Sequence, residues 1–250
     1  MYQFFVEPHQ IQGNRILIEG NDVNHIKNVL RMKPGEELAV SNGLDGKEYR
    51  CGILEFDEDA VICELRFVKE DGVELPSQVY LFQGLPKADK MEMIIQKCVE
   101  LGVYAVIPVA TKRCVVKLDD KKAKSKIQRW QGIAEAAAKQ SKRRIVPEVM
   151  DVMSLKQALT YVKDFEVKVI PYELAEDMAK TKKIIEGLQP GQKIAVFIGP
   201  EGGFDESEIK EALENGTQPI TLGKRILRTE TAGLTIMSWI MYRLENECIY

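Results

Sequence analysis

Histidine is almost missing from this chain: His9 and His25 are the only two, and both stand near the start. Acid–base chemistry anywhere else must do without imidazole, the side chain that titrates nearest neutral pH. Five cysteines (Cys51, Cys63, Cys98, Cys114 and Cys248) are scattered with no Cys-x-x-Cys spacing. With so few histidines this pattern excludes a zinc-ligand set and a dithiol redox motif, so no metal site is expected. The five are expected to be reduced thiols within strands and helices. No run approaches the roughly eighteen apolar residues that span a bilayer. The opening Met1-Tyr2-Gln3-Phe4-Phe5-Val6-Glu7 has neither a basic stretch nor a signal-like apolar core, so a cytoplasmic, membrane-free location is expected. Gly-x-x-x-x-Gly-Lys-Ser/Thr and Gly-x-Gly-x-x-Gly are both absent, which leaves ATP hydrolysis and dinucleotide binding without support.

An excess of charge is also lacking overall, with 35 Lys and Arg against 38 Asp and Glu and a formal net of −3. The distribution is uneven. From Lys112 to Arg144, twelve basic residues face Asp119, Asp120 and Glu135, a local net of +9. Such a run is either a solvated helix face or a grip on nucleic acid. Residues 1–72 carry eight basic and fourteen acidic residues, a net of −6, so that region cannot attract RNA by bulk charge.

What is present is a change of rhythm near residue 72. Before it, Arg15 to Ile18, Glu37 to Val40, Tyr49 to Leu54 and Ala60 to Leu65 read as short strands, separated by turn signals such as Asn42-Gly43 and Asp45-Gly46 and by a helical piece from Val23 to Met32. That is the pattern of a small β-barrel over 1–72. The charged stretch from Lys69 to Pro76 reads as a linker. Over 73–250, strands predicted at 79–82, 104–109, 167–170, 194–198 and 219–222 alternate with helices near 88–101, 124–141, 154–162, 178–187, 206–214 and 231–244. This is an α/β domain with a mostly parallel sheet. In the last helix Leu234, Met237, Ile240, Met241 and Leu244 form the expected buried stripe. Trp239 and Tyr242 fall off it, onto neighbouring core or an oligomer interface.

Two loops carry the chemistry. The apolar run Ile194 to Ile198 ends in Gly199-Pro200-Glu201-Gly202-Gly203-Phe204, where missing Cβ atoms let main-chain groups approach a ligand. Alone, this is equally a tight strand-to-helix turn. Its exit is defined: Asp205 caps the next helix, Glu208 completes a capping box, and Phe204 and Ile209 occupy hydrophobic-staple positions. The second loop, Leu222-Gly223-Lys224-Arg225-Ile226-Leu227-Arg228-Thr229-Glu230-Thr231-Ala232, opens the final helix, with Thr229 or Thr231 as its cap. Arg225 and Arg228 are solvated, or are planar donors suited to a phosphate or a polarised base carbonyl. Two such loops after neighbouring strands point to a ligand site at the carboxyl edge of a sheet.

Together, Gly199 to Gly203 and Leu222 to Ala232 closely resemble the signature of the RsmE-type ribosomal RNA methyltransferases of the SPOUT superfamily. Other segments agree: His25-x-x-x-Val29-Leu30-Arg31, Gly84-Leu85-Pro86-Lys87, Gln96-Lys97-x-x-Glu100-Leu101-Gly102, Arg129-Trp130, and Glu135-Ala136-Ala137-x-Lys139-Gln140-Ser141-x-Arg143. The resemblance spans nearly the whole chain. It implies a PUA-like barrel, an RNA-recognition domain, followed by a SPOUT domain with a C-terminal trefoil knot. It also implies a homodimer and S-adenosylmethionine-dependent methylation at N3 of one uridine in 16S ribosomal RNA, free or within the assembled small subunit. The implied cofactor-binding residues are Gly199, Pro200, Glu201, Gly202, Gly203, Leu222, Gly223, Ile226, Leu227, Arg228, Thr231 and Ala232. Arg31, Lys87, Arg113, Gln140, Arg143 and Arg225 are the expected RNA contacts.

Arg228 is the expected stabiliser of a developing uridinate. Glu230 is the candidate proton acceptor, or the partner orienting an arginine, or an acid that only complements a helix dipole. The chain departs from the family at Gln3, where an arginine is common, and at Thr111-Lys112-Arg113-Cys114, which keeps the arginine of a Ser-x-Arg-Ser pattern.

Overall fold

The computed structural model describes every residue except Asp71, Leu174, Glu176 and 246–250, so Cys248 lies outside the described residues. The chain packs as two units: Met1–Glu74 with Ala138–Val146, and Leu75–Ala137 with Pro147–Tyr250.

The first unit is a six-stranded sheet of β1 (Gln3–Phe5), β2 (Ile11–Gln12), β3 (Arg15–Glu19), β4 (Glu37–Ser41), β5 (Glu48–Phe56) and β6 (Ala60–Lys69), in the order β1-β4-β5-β6-β3-β2. Among these six strands β1 pairs with β4 in parallel, and the other pairings are antiparallel. β3 shows why strands form here: Ile16 and Ile18 are fully buried while Arg15 and Glu19 are exposed, the two-residue period of a half-buried strand. Phe4, Ile16, Ile18, Leu38, Val40, Cys51, Ile53, Val61 and Cys63, drawn from five strands, meet in one cluster. A flat sheet cannot bring them together, so it curls. Two register shifts between β5 and β6 supply the bend. The helical piece expected over 23–32 is shorter and begins earlier. Helix α1 (Asn21–Asn24) runs into a π-helical turn, His25–Val29, and Arg31 at φ 54° ends it.

The basic run of the sequence ends inside this unit, and Glu74 organises its last residues. Its carboxylate accepts from Arg143 Nε at 2.9 Å, from the Arg144 N–H at 2.9 Å and from the Ile145 N–H at 3.2 Å. Arg144 is 1% exposed and donates to the Lys69 carbonyl at 3.0 Å. Gln3 Nε2 donates to the Arg143 carbonyl at 2.7 Å.

The second unit is built on a wholly parallel sheet of β7 (Gln78–Gly84), β8 (Ala105–Ala110), β9 (Glu148–Val149), β10 (Met153–Ser154), β11 (Val167–Pro171), β12 (Lys193–Ile198) and β13 (Gln218–Ile220). The order is β10-β8-β7-β12-β11-β13, with β9 also on β8. Its helices are α2 (Lys90–Glu100), α3 (Asp120–Gln140, whose last residues pack with the first unit), α4 (Leu155–Tyr161), α5 (Met178–Glu186), α6 (Glu206–Glu214) and α7 (Thr229–Glu245). The central strands are apolar on both faces, as a covered parallel sheet requires. Tyr80, Phe82, Ala195 and Phe197 join α4 and α6 in one cluster, with Phe82 and Phe197 stacked at 4.6 Å. On the other face α7 packs on β12 and α2 on α7.

Two expectations shift. β13 ends at Ile220, which leaves Leu222 and Gly223 in the loop. The buried face of α7 is Thr229, Gly233, Ile236, Met237, Ile240 and Leu244, with Leu234, Met241 and Trp239 half-buried and Tyr242 73% exposed. Gly233 lies on this buried face, against Gln83 of β7 and Ile198 of β12. Among the described residues there is no cluster suited to a metal ion and no helix long and apolar enough to cross a membrane.

Candidate cofactor cleft

At the carboxyl edge of the second sheet, the loops after β11, β12 and β13 surround a cleft of about 540 Å³. Gly199 to Gly203 form one wall, and Leu222, Gly223, Ile226, Leu227, Arg228 and Ala232 form the other. Thr231, expected with them, is exposed and does not line the cleft, because Thr229 one half-turn earlier faces inward.

Sequence explains the close approach of these segments. A Cβ on Gly84 would sit 2.6 Å from Pro200 N and Cδ, and one on Gly199 would sit 3.1 Å from Gly203 Cα. Gly203 and Gly223 take φ of 66° and 112°, open without strain only to glycine. The turn's exit is held by the expected capping box, in which the Asp205 N–H donates to Glu208 Oε2 at 2.9 Å. Glu208 is 4% exposed, and its other oxygen accepts the Lys112 N–H at 2.8 Å. The Thr111–Cys114 loop is thereby tied to α6. Arg113 Nη1 then reaches the Gly202 carbonyl at 3.2 Å.

A buried relay joins the three segments at the cleft's base. Gln83 Nε2 donates to Thr229 Oγ1 at 2.8 Å, and that hydroxyl donates to the Gly199 carbonyl at 2.6 Å. The Thr229 side chain therefore holds the glycine turn and does not serve as a helix cap. Sequence reasoning missed this relay, since a buried Gln in a strand and a Thr at a helix start have separate ordinary uses.

The lining carries Lys90, Arg113, Lys224, Arg225 and Arg228 against Glu173 and Glu201, an excess of positive charge. Arg228 is exposed and forms no ion pair among the described residues. Glu230 pairs with Lys90, Nζ to Oε2 at 3.3 Å, and not with an arginine. Lys90 Nζ also meets Glu201 Oε1 at 3.0 Å, and the same oxygen accepts the Lys87 N–H at 3.0 Å. Burial alone would raise the Glu201 carboxyl. Its own backbone N–H, Lys90 and the Lys87 N–H outweigh that and hold it below the ordinary range. Glu201, then Glu230, hold the Lys90 ammonium above its ordinary range.

Of the expected RNA contacts, Arg113 and Arg225 line the cleft, and Lys87 is exposed beside Glu201. Arg31 and Gln140 are exposed in the first unit. Arg143 differs from these in its surroundings. It is 5% exposed and paired with Glu74, so its charge is consumed within the fold.

A family model described as an RNA methyltransferase domain matches residues 73–241, and one described as an RNA methyltransferase PUA domain matches 18–66. The ribosomal RNA small subunit methyltransferase E of Bacillus subtilis is 42% identical over 251 residues, covering 98% of each chain. That of Mesomycoplasma hyopneumoniae is 35% identical, covering 95% of this chain and 98% of its own. The crystal structure of a Neisseria gonorrhoeae ribosomal RNA small subunit methyltransferase E bound to S-adenosyl methionine superposes with a TM-score of 0.84 at 32% identity, covering 97% of both chains. Across both of its units, then, this chain belongs to the ribosomal RNA small subunit methyltransferase E family.

Proposed function

We propose that this protein transfers a methyl group from S-adenosylmethionine to N3 of a uridine in the 16S ribosomal RNA of the small subunit, acting as a cytoplasmic homodimer whose C-terminal segment is threaded as a trefoil knot. The single observation that carries the reading is the cleft between Gly199–Gly203 and Leu222–Arg228, in a chain of this family.

The residues present fit such a cofactor. Leu222, Ile226 and Leu227 offer apolar surface, and Ile226 is 89% exposed with nothing of the described chain covering it. The N–H groups of Leu222 and of Lys224 to Leu227 have no partner among the described hydrogen bonds, leaving donors for a heterocycle's polar edge. The bound cofactor supplies an electrophilic methyl on a sulfonium, which leaves as a neutral thioether.

The chain's own task is positioning and charge stabilisation. Uridine N3 carries a proton at neutral pH, and its loss to solvent water spreads negative charge onto the two flanking carbonyl oxygens. Arg228, on the cleft wall and without an ion pair among the described residues, stabilises that charge. Glu230 is engaged by Lys90, which argues for a structural carboxylate and against a proton acceptor. Because N3 lies on the Watson–Crick edge, the base must be unpaired before it enters. Lys87, Arg113 and Arg225 near the cleft, and Arg31 and Gln140 in the first unit, are the residues proposed to hold the RNA.

The test is incubation with labelled S-adenosylmethionine and either assembled small subunits or free 16S RNA, followed by digestion and mass spectrometry of the modified base. Label at uridine N3 is the expected result. Label on another base or only on transfer RNA, or binding without transfer, overturns it.

A further inference from the structure

Lys90 belongs to none of the loops that the sequence marked, yet its ammonium is where three segments of the cleft converge. It opens α2, and its stem leads to Glu201 on the glycine turn at 3.0 Å and to Glu230 on the first turn of α7 at 3.3 Å. The Lys90 and Glu230 side chains are 29% and 13% exposed. Glu230 Oε2 is fully buried and has no hydrogen bond of good geometry among the described residues, so Lys90 is its compensating charge. Two carboxylates that meet one ammonium from separate segments repel each other unless that cation lies between them.

We propose that Lys90 is a positioning residue for methyl transfer: by bridging Glu201 and Glu230 it locks the glycine turn against the start of α7 and so fixes the width of the cleft. The inference rests on the methyltransferase reading above. An isolated exposed ion pair contributes little, but this one joins two walls that must hold their ligand to within a fraction of an ångström, where small displacements cost rate.

Two measurements on the full chain test it. In the protein without cofactor, Lys90→Met is expected to speed amide hydrogen exchange about tenfold or more over Glu201–Gly203 and Thr229–Thr231, leaving β8 unchanged. In turnover at saturating S-adenosylmethionine, Lys90→Met is expected to lower kcat about tenfold, and Lys90→Arg to recover most of it. Adding Glu230→Gln to Lys90→Met should cost little more, because the two act as one unit. Unchanged exchange, an unchanged kcat at saturation, or losses that multiply independently overturn the proposal. If Lys90→Met does not fold, Glu201→Gln and Lys90→Arg carry the same comparison. An inactive wild-type protein would instead sink the methyltransferase reading, and the exchange experiment would still judge the clamp.

Discussion

Gly84, the last residue of β7, passes so close to Pro200 that a Cβ would stand 2.6 Å from its ring. The glycine turn takes its shape from the end of the adjacent strand as much as from its own glycines. Pro200 is pressed on by Gly84, the Gly199 carbonyl is held by Thr229, and Glu201 is held by Lys87 and Lys90.

Replacing Gly84 with alanine forces that contact apart. Overpacking of this kind costs about 1–3 kcal/mol, and the displacement falls on the turn. Urea denaturation should show a loss in that range, and calorimetric titration should show weaker S-adenosylmethionine binding. Unaltered binding in a folded variant would mean that the turn does not depend on this approach.

Arg228→Ala removes the guanidinium proposed to face developing charge. Loss of a comparable donor lowers kcat roughly a hundredfold or more, while the backbone-built cradle keeps most of its cofactor affinity. Single-turnover methylation alongside calorimetry separates the two effects. An intact rate constant would rule out the assignment.

Glu74→Ala removes the carboxylate that Arg143 Nε, in a side chain 5% exposed, donates to, and the acceptor of the Arg144 and Ile145 N–H groups. Breaking a buried pair from one side costs about 3–5 kcal/mol, so the midpoint of chemical denaturation should fall sharply. A change below about 1 kcal/mol would show that the pair is solvated.

Lys121, Lys122 and Lys124 on α3 are exposed, unlike Arg143 and Arg144. Reversing the three charges should weaken RNA binding and flatten the dependence of log Kd on log salt by roughly two in slope. An unchanged slope would remove this helix from the RNA contact.

The clamp has a defined pH window. The folded-state value of Glu201 lies below its ordinary one, so its contribution is complete above the ordinary glutamate range and is lost as acid is added through the lowered value. Lys90 is raised, so its contribution is complete below the ordinary lysine range and is lost as pH climbs through the raised value. Thermal stability of Glu201→Gln should therefore approach that of the wild type in acid and fall behind it near neutrality. A constant difference across pH would separate Glu201 from the effect.

Much of this protein follows from local pattern alone. The Ile16/Ile18 alternation made β3, the apolar run Ile194–Ile198 made a strand buried on both faces, and Asp205 with Glu208 placed the start of α6 to the residue. These are short-range properties, in which each side chain's preference is settled within a turn or a pleat. The two glycine-bearing loops that line the cleft were legible for the same reason, since Gly199, Gly203 and Gly223 stand at positions of close approach or positive φ.

What only the tertiary structure decided lies in pairings across long separations. Arg143 and Arg144 read as members of a basic surface, yet Glu74, Glu48 and the Lys69 carbonyl draw them into the first unit. Glu230 read as a base, the partner of an arginine or a dipole acid, and Lys90 had no reading at all, until α2 and α7 came together on one face of the sheet. A charged side chain has no strong local preference for the partner it will meet. Its role is set by which opposite charge the fold places beside it and how much water the fold removes from between them.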